Sequence, residues 1–137
     1  MGMVQAEITL KNVFDVASAE RGMIKESEIR QKTLTALVDT GAITIVINEE
    51  IRQNLGLEIK GSRPILLADG STHNCSVTEP VDIHWKNRDT TCRALVMANS
   101  KYVLLGALPL EDMDLIVHPF KQELTGAHGD EVLGLVL

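Results

Sequence analysis

The sequence predicts a compact all-β barrel, and three observations carry that expectation. Short runs rich in β-branched and aliphatic residues recur along the 137 residues, with turn residues between them at intervals of about 8 to 12 positions. Val4–Leu10 alternates strictly, placing Val4, Ala6, Ile8 and Leu10 on one face and Gln5, Glu7 and Thr9 on the other. Ala68-Asp69-Gly70-Ser71 stands between two extended runs, and Asp-Gly in that setting is the strongest short hairpin signal.

Each element has its local reason. After the first strand, Lys11–Ser27 reads as a surface loop or bent hairpin turning at Arg21-Gly22. Thr33–Val38 is the second strand and ends at Asp39, and Ile43–Ile47 is a β-branched third. Asn48-Glu49-Glu50 then supplies an N-cap and an acidic first turn for a short helix that stops near Gly56. Pro64–Leu67 and Thr72–Val77 flank Asp69-Gly70 and project a β-arm. Val81–Trp85 and Thr91–Met97 form another hairpin around Asn87, Arg88 and Asp89. Tyr102–Ala107 is an apolar strand closed by glycine. Leu108–Met113 suits a second short helix, and Leu115–Val117 and Lys121–Thr125 are further strands.

With no repeat, low-complexity stretch or linker, residues 1–137 read as a single domain. The net charge is −6 and no Lys or Arg run exceeds two residues, which argues against nucleic acid as a partner. No apolar run approaches a membrane span, and Met1–Glu7 has neither a basic leader nor an apolar secretory core, with Ala6 where a myristoylation signal wants Ser or Thr. Cys75 and Cys92 lack CxxC spacing and fit structural thiols in a reducing cytoplasm. His73, His84, His118 and His128 show no metal-ligand spacing, so no metal is expected.

The residues that carry chemistry are Asp39-Thr40-Gly41, an aspartate on a glycine turn at the end of an apolar strand, present once. At ordinary residue usage a random chain of this length would contain that triplet about 3% of the time, so alone it is weak. Its chemical meaning depends on a partner carboxylate. Two carboxylates about 3 Å apart share one proton, and such a pair activates water as a base while protonating a leaving group as an acid. A chain of this length is too short for two lobes, so either a second copy across a two-fold axis brings the other aspartate or Asp39 has an ordinary role, capping a turn in a monomeric barrel.

Three elements in order make the chain resemble the retropepsins, the single-domain aspartic proteases of retroviruses, and their bacterial relatives. They are Ala36-Leu37-Val38-Asp39-Thr40-Gly41-Ala42, the hairpin tipped by Ala68-Asp69-Gly70-Ser71 30 residues after Asp39, and Val103-Leu104-Leu105-Gly106-Ala107, whose glycine is 67 residues after Asp39. The resemblance implies a closed, mostly antiparallel barrel with one or two short helices, acting as a homodimer on peptide or protein substrates without a cofactor. It implies Asp39 as the catalytic residue, supported by Thr40, Gly41 and Ala42, with Thr40 bonding to the partner's loop. Ala68, Asp69, Gly70 and Ser71 would form a substrate-covering flap, and Leu104, Leu105 and Gly106 the strand behind the catalytic loop. The chain departs from the family pattern at Ile43, where Ser, Thr or Asp is usual, and in an arm tip without Tyr or Trp. Those departures motivate a second reading, a catalytically inactive dimeric peptide-binding or scaffolding module of the same fold.

Blander roles are expected elsewhere. Trp85 and Tyr102 read as core or interface anchors, Glu111, Asp112 and Asp114 as a solvated helix face, and Asp69 as turn chemistry. The apolar tail within residues 126–137, Val132-Leu133-Gly134-Leu135-Val136-Leu137, is an exposed liability on a monomer, and the alternatives are a dimer interface or a flexible end.

Overall fold

The structure, a computed structural model, describes residues 3–118 and 120–137, so Met1 and Gly2 of the N-terminal reading lie outside it. The first strand, β1 (Gln5–Asn12), buries Ala6, Ile8 and Leu10 while their neighbours face outward, as the alternation requires. It pairs antiparallel with β2 (Gln31–Val38) on one side. On its other side it pairs antiparallel with β5 (Thr72–Trp85). β2 runs parallel to β7 (Val103–Leu105), β7 pairs with β3 (Ile45–Ile47), and β3 runs parallel to β6 (Arg88–Val96). β6 then pairs with β5, and the β5–β1 pairing closes six strands into a ring. β4 (Ile59–Leu66) extends the sheet from the far part of β5, and β8 (Leu115–His118) with β9 (Glu123–Gly126) makes a separate hairpin. The barrel is all-β and mostly antiparallel, as predicted.

Three corrections concern local structure. Lys11–Ser27 is not a loop or hairpin. It contains α1 (Val13–Glu20) and a 3-10 turn at Glu26–Glu28, although the chain does reverse at Arg21-Gly22, with Gly22 at φ 72°. Asn12 starts α1 by accepting the Asp15 N–H at 3.0 Å, and its side-chain amide also donates to the Leu55 carbonyl at 2.9 Å. The described residues therefore hold three short α-helices, α1, α2 (Glu49–Leu55) and α3 (Ala107–Asp112), rather than one or two. Finally, Thr72–Val77 and Val81–Trp85 are one continuous strand, whose register shifts between Val77 and Pro80. The irregularity accommodates a proline that cannot donate to a ladder.

Other boundaries follow their chemistry. Asn48 accepts the Ile51 N–H at 2.9 Å and Gly56 ends α2 in the left-handed region at φ 64°. Strand β3 is buried on both faces. Ile45 and Ile47 enter the main core with Ile8, Leu10, Ile83 and Leu105, whereas Val46 enters a smaller cluster with Cys75, Val77 and Leu95. Each such aliphatic side chain contributes about 1.5–3 kcal/mol by leaving water. Ala42, Ile65, Met97 and Leu104 pack against the smaller cluster, so it ties the base of the arm to the loop after β2.

Candidate active site

Asp39 follows the last residue of β2, and its position is set mainly by backbone hydrogen bonds. Its N–H donates to the Leu105 carbonyl at 2.9 Å, continuing the β2–β7 pairing by one residue. Its carbonyl accepts the Ala42 N–H at 3.0 Å, which closes the turn. The carboxylate Oδ1 accepts the Gly41 N–H at 2.9 Å, a charge-assisted contact that orients the half-buried side chain. Thr40 is exposed beside it.

The strand expected behind this loop is there. Leu104 and Leu105 lie in β7 opposite Leu37 and Val38, and Gly106 precedes α3. The Ala107 N–H donates to the Ala42 carbonyl at 2.8 Å and the Leu108 N–H to the Ile43 carbonyl at 2.9 Å, so the loop is stitched to the start of α3. A Cβ on Gly106 would press into the carbonyl oxygens of Ala42 and Thr44 and lie 2.8 Å from the Ala42 carbonyl carbon. Glycine is required there for space.

Ala68, Asp69, Gly70 and Ser71 form the tip of the β4–β5 arm. Gly70 adopts φ 87°, and Asp69 Oδ1 accepts the Ser71 N–H at 2.9 Å and its hydroxyl at 2.5 Å. The Ser71 contacts hold the Asp69 carboxyl below its ordinary acidity range, which is the turn role expected of it. The tip's hydrogen bonds run within the arm, and the arm meets the Asp39 loop through Ile65 and the smaller cluster rather than through the tip.

Ile43 is 54% exposed, and the next residue, Thr44, is buried. The Thr44 hydroxyl donates to the Arg93 carbonyl at 2.9 Å and lies 3.5 Å from the Cys92 sulfur, so it braces β6 instead of the Asp39 carboxylate. Burial is the main cause pushing the Cys92 thiol above its ordinary pKa. Cys75 is buried, and both cysteines are free. Among the described residues no group of three His, Cys, Asp or Glu side chains could hold a metal. No helix there is long and apolar enough to cross a membrane.

One expectation outside the loop needs amendment. Asp112 and Asp114 are not merely solvated. Asp112 accepts the Thr90 hydroxyl at 2.6 Å, and Asp114 lies 2.9 Å from His128 Nδ1. Trp85 is buried in the core, with Lys86 Nζ 4.6 Å from its ring centroid, whereas Tyr102 is 49% exposed. Sequence reasoning also passed over Arg88. Its buried guanidinium donates to the carbonyls of Met113, Asp114 and Gly129 and anchors the segment leading to the tail. An arginine beside a hairpin turn gives no local sign of such a role.

A closed barrel with a single Asp-Thr-Gly loop, a β-hairpin arm and a Leu-Leu-Gly strand bonded to that loop defines the retropepsin-like class of aspartic protease. Residues 26–112 match the family described as "gag-polyprotein putative aspartyl protease", and the chain belongs to that family. It is similar to EIAV protease complexed with the inhibitor HBY-793, at 22% identity and a TM-score of 0.53, over 77% of this chain and 82% of that one. It is also similar to a retropepsin-like aspartic protease from Rickettsia conorii, at 20% identity and a TM-score of 0.49, over 77% and 67% of the two chains. The likeness to the EIAV enzyme shows a common fold. No match was found among curated proteins.

Proposed function

We propose that the protein is a homodimeric aspartic endopeptidase in which Asp39 from each of two subunits activates one water. The observation that carries this reading is the Asp39 loop. Its half-buried carboxylate is oriented by the Gly41 N–H, and the loop is hydrogen-bonded to Leu105, Ala107 and Leu108, all within the residues that match the family. Two such carboxylates about 3 Å apart would repel by about 5 kcal/mol at an effective dielectric constant near 20, so the pair retains one proton. The ionised member takes a proton from water as it attacks the scissile carbonyl. The protonated member polarises the carbonyl oxygen, and a proton then passes to the departing amine. No covalent acyl-enzyme forms, and neither a metal nor an organic cofactor takes part.

Dimerisation follows from the single copy of the triplet, and the apolar tail supports it. Val132, Leu133, Leu135, Val136 and Leu137 are all exposed in the single chain, a patch suited to burial against a second copy. In the assembled protein Thr40 bonds to the partner's loop, and the Ala68–Ser71 tip folds over an extended peptide and pairs with its backbone. Free Cys75 and Cys92 fit a reducing cytoplasm.

The decisive substitution is Asp39→Asn, which keeps the oxygen that accepts the Gly41 N–H. Fold and dimer mass should persist while cleavage of a denatured protein falls by about a thousandfold or more. Unchanged cleavage sinks the catalytic assignment. One observation favours the non-catalytic reading, a dimeric peptide-binding module. Ile43 is exposed and Thr44 is turned toward Arg93, so neither supplies a hydroxyl to the carboxylate. A wild-type dimer that binds peptides yet leaves them intact between about pH 4 and 7, where a shared-proton pair is competent, establishes that reading instead.

A further inference from the structure

A cavity of about 220 Å³ lies between the residues that follow the Asp39 loop and the base of the arm, lined in part by Ile43, Thr44, Arg63, Cys92, Arg93 and Leu108. That is the volume of several water molecules, enough for one carboxylate-bearing side chain. Arg63 and Arg93 both line it. Arg63 sits on β4 opposite Cys75, Arg93 sits on β6 opposite Pro80, and β5 runs between those two strands. Both arginines are exposed, and among the described residues the ion pairs engage Arg30, Arg52, Lys60, His84 and His128 and neither of these two.

We propose that this cavity is a substrate subsite for a carboxylate side chain, with Arg63 and Arg93 as the residues that select Glu or Asp at one position of the bound peptide. The inference rests on the reading that the Asp39 loop and the arm bind an extended peptide. Charge complementarity identifies the occupant. The chain as a whole carries −6, yet this one recess presents two guanidinium groups without an ion-pair partner. No Asp or Glu is among the residues that line it, and burial, with a further contribution from the Asp112 charge, raises the Cys92 thiol above its ordinary range. The backbone of β6 is also fixed relative to the loop, since the Thr44 hydroxyl donates to the carbonyl of Arg93 itself. An extended peptide projects alternate side chains to one side, so one of them enters beside Ile43 and Leu108 and meets both forks.

The test uses a synthetic octapeptide library in which each position in turn is Glu or Gln, measured twice. Cleavage is followed with the wild-type protein, and binding with the Asp39→Asn protein. A single position should favour Glu over Gln by about tenfold in kcat/KM and in affinity, as expected for a charge-assisted contact at a partly exposed site. The ratio should narrow with added salt and fall close to one in the Arg63→Gln, Arg93→Gln double variant. If nothing is cleaved but Glu peptides bind preferentially through the two arginines, the subsite stands and the endopeptidase reading fails. A Glu preference absent from both measurements, or one that survives the double substitution, overturns the proposal.

Discussion

Replacing Gly106 by alanine should damage both the fold and the site, and the structure fixes why. The backbone there, at φ −96° and ψ −169°, is open to any residue, so alanine meets no conformational penalty. The obstacle is space. The added methyl would press against the carbonyl oxygens of Ala42 and Thr44 and sit 2.8 Å from the Ala42 carbonyl carbon, all backbone atoms that cannot rotate away. Relief requires the loop and the start of α3 to separate, which lengthens the Ala107-to-Ala42 and Leu108-to-Ile43 hydrogen bonds of 2.8 and 2.9 Å. Overpacking of this kind together with weakened hydrogen bonds costs about 3 kcal/mol, which lowers the Tm of a chain of this size by about 10 °C. Thermal unfolding followed by circular dichroism reads the loss, and cleavage of a denatured protein reads the displacement of Asp39. Gly61→Ala is the control, since a methyl there meets nothing within 4 Å. A Gly106→Ala protein whose Tm lies within about 2 °C of the parent, with undiminished cleavage, refutes the claim that this glycine spaces the loop from α3.

Other perturbations have equally definite outcomes. Arg88→Met strips the carbonyls of Met113, Asp114 and Gly129 of a donor at 2.7, 3.0 and 2.6 Å, and should destabilise the protein by about 3 kcal/mol. Hydrogen exchange should rise first across residues 113–131, and unchanged protection there contradicts the anchoring role. Asp15 accepts Arg30 Nε at 2.8 Å and Nη2 at 3.0 Å, and the Arg30 side chain holds its carboxyl below the ordinary value. A carboxylate whose folded pKa is depressed stabilises the fold above its unfolded value near 3.9, and that contribution is lost as pH falls through the folded value. Asp15→Asn should therefore cost about 1 kcal/mol at pH 7 and progressively less below about pH 4, and chemical denaturation across pH would expose a constant deficit if the ion pair were irrelevant. Deleting residues 132–137 should weaken self-association by about tenfold or more while leaving the barrel's circular dichroism intact, because the tail's apolar side chains are exposed in the single chain. Sedimentation showing an undiminished dimer would remove the tail from the interface.

Much of the barrel was legible because its signals are local. The alternation of Val4 to Leu10, the Asn48 cap with its acidic first turn, the Gly56 stop and the Asp69-Gly70 turn each lie within a few residues, and each appears where expected. The misses are also physical. Helix α1 buries none of its residues, so it lacks the apolar stripe that marks a helix, and its one readable sign was Asn12 followed three positions later by Asp15. Thr72–Val77 and Val81–Trp85 read as separate strands, but tertiary pairing on both sides of β5 carries the strand through Pro80 with a shifted register. At the site, the loop and its backing strand could be named from motif and order. The inward turn of Thr44 and the exposure of Ile43 could not, since they depend on which side of β6 the chain enters.

By itself the sequence determined the family pattern: one Asp-Thr-Gly loop, an arm tipped by Asp-Gly and a Leu-Leu-Gly strand, the single aspartate being what motivates the proposal of a second copy. Those features are encoded within single turns and strands, where backbone preference and side-chain period decide the outcome. The tertiary structure alone decided that β1 closes the ring by pairing with β5, that Gly106 must stay small because two carbonyls press on it, and that Arg88 holds the approach to the tail. It also brought Arg63 and Arg93, 30 residues apart, into one cavity beside the loop. Such meetings depend on long-range strand pairing and on the packing of the whole core, which sums contributions from every element and leaves no trace in any one of them.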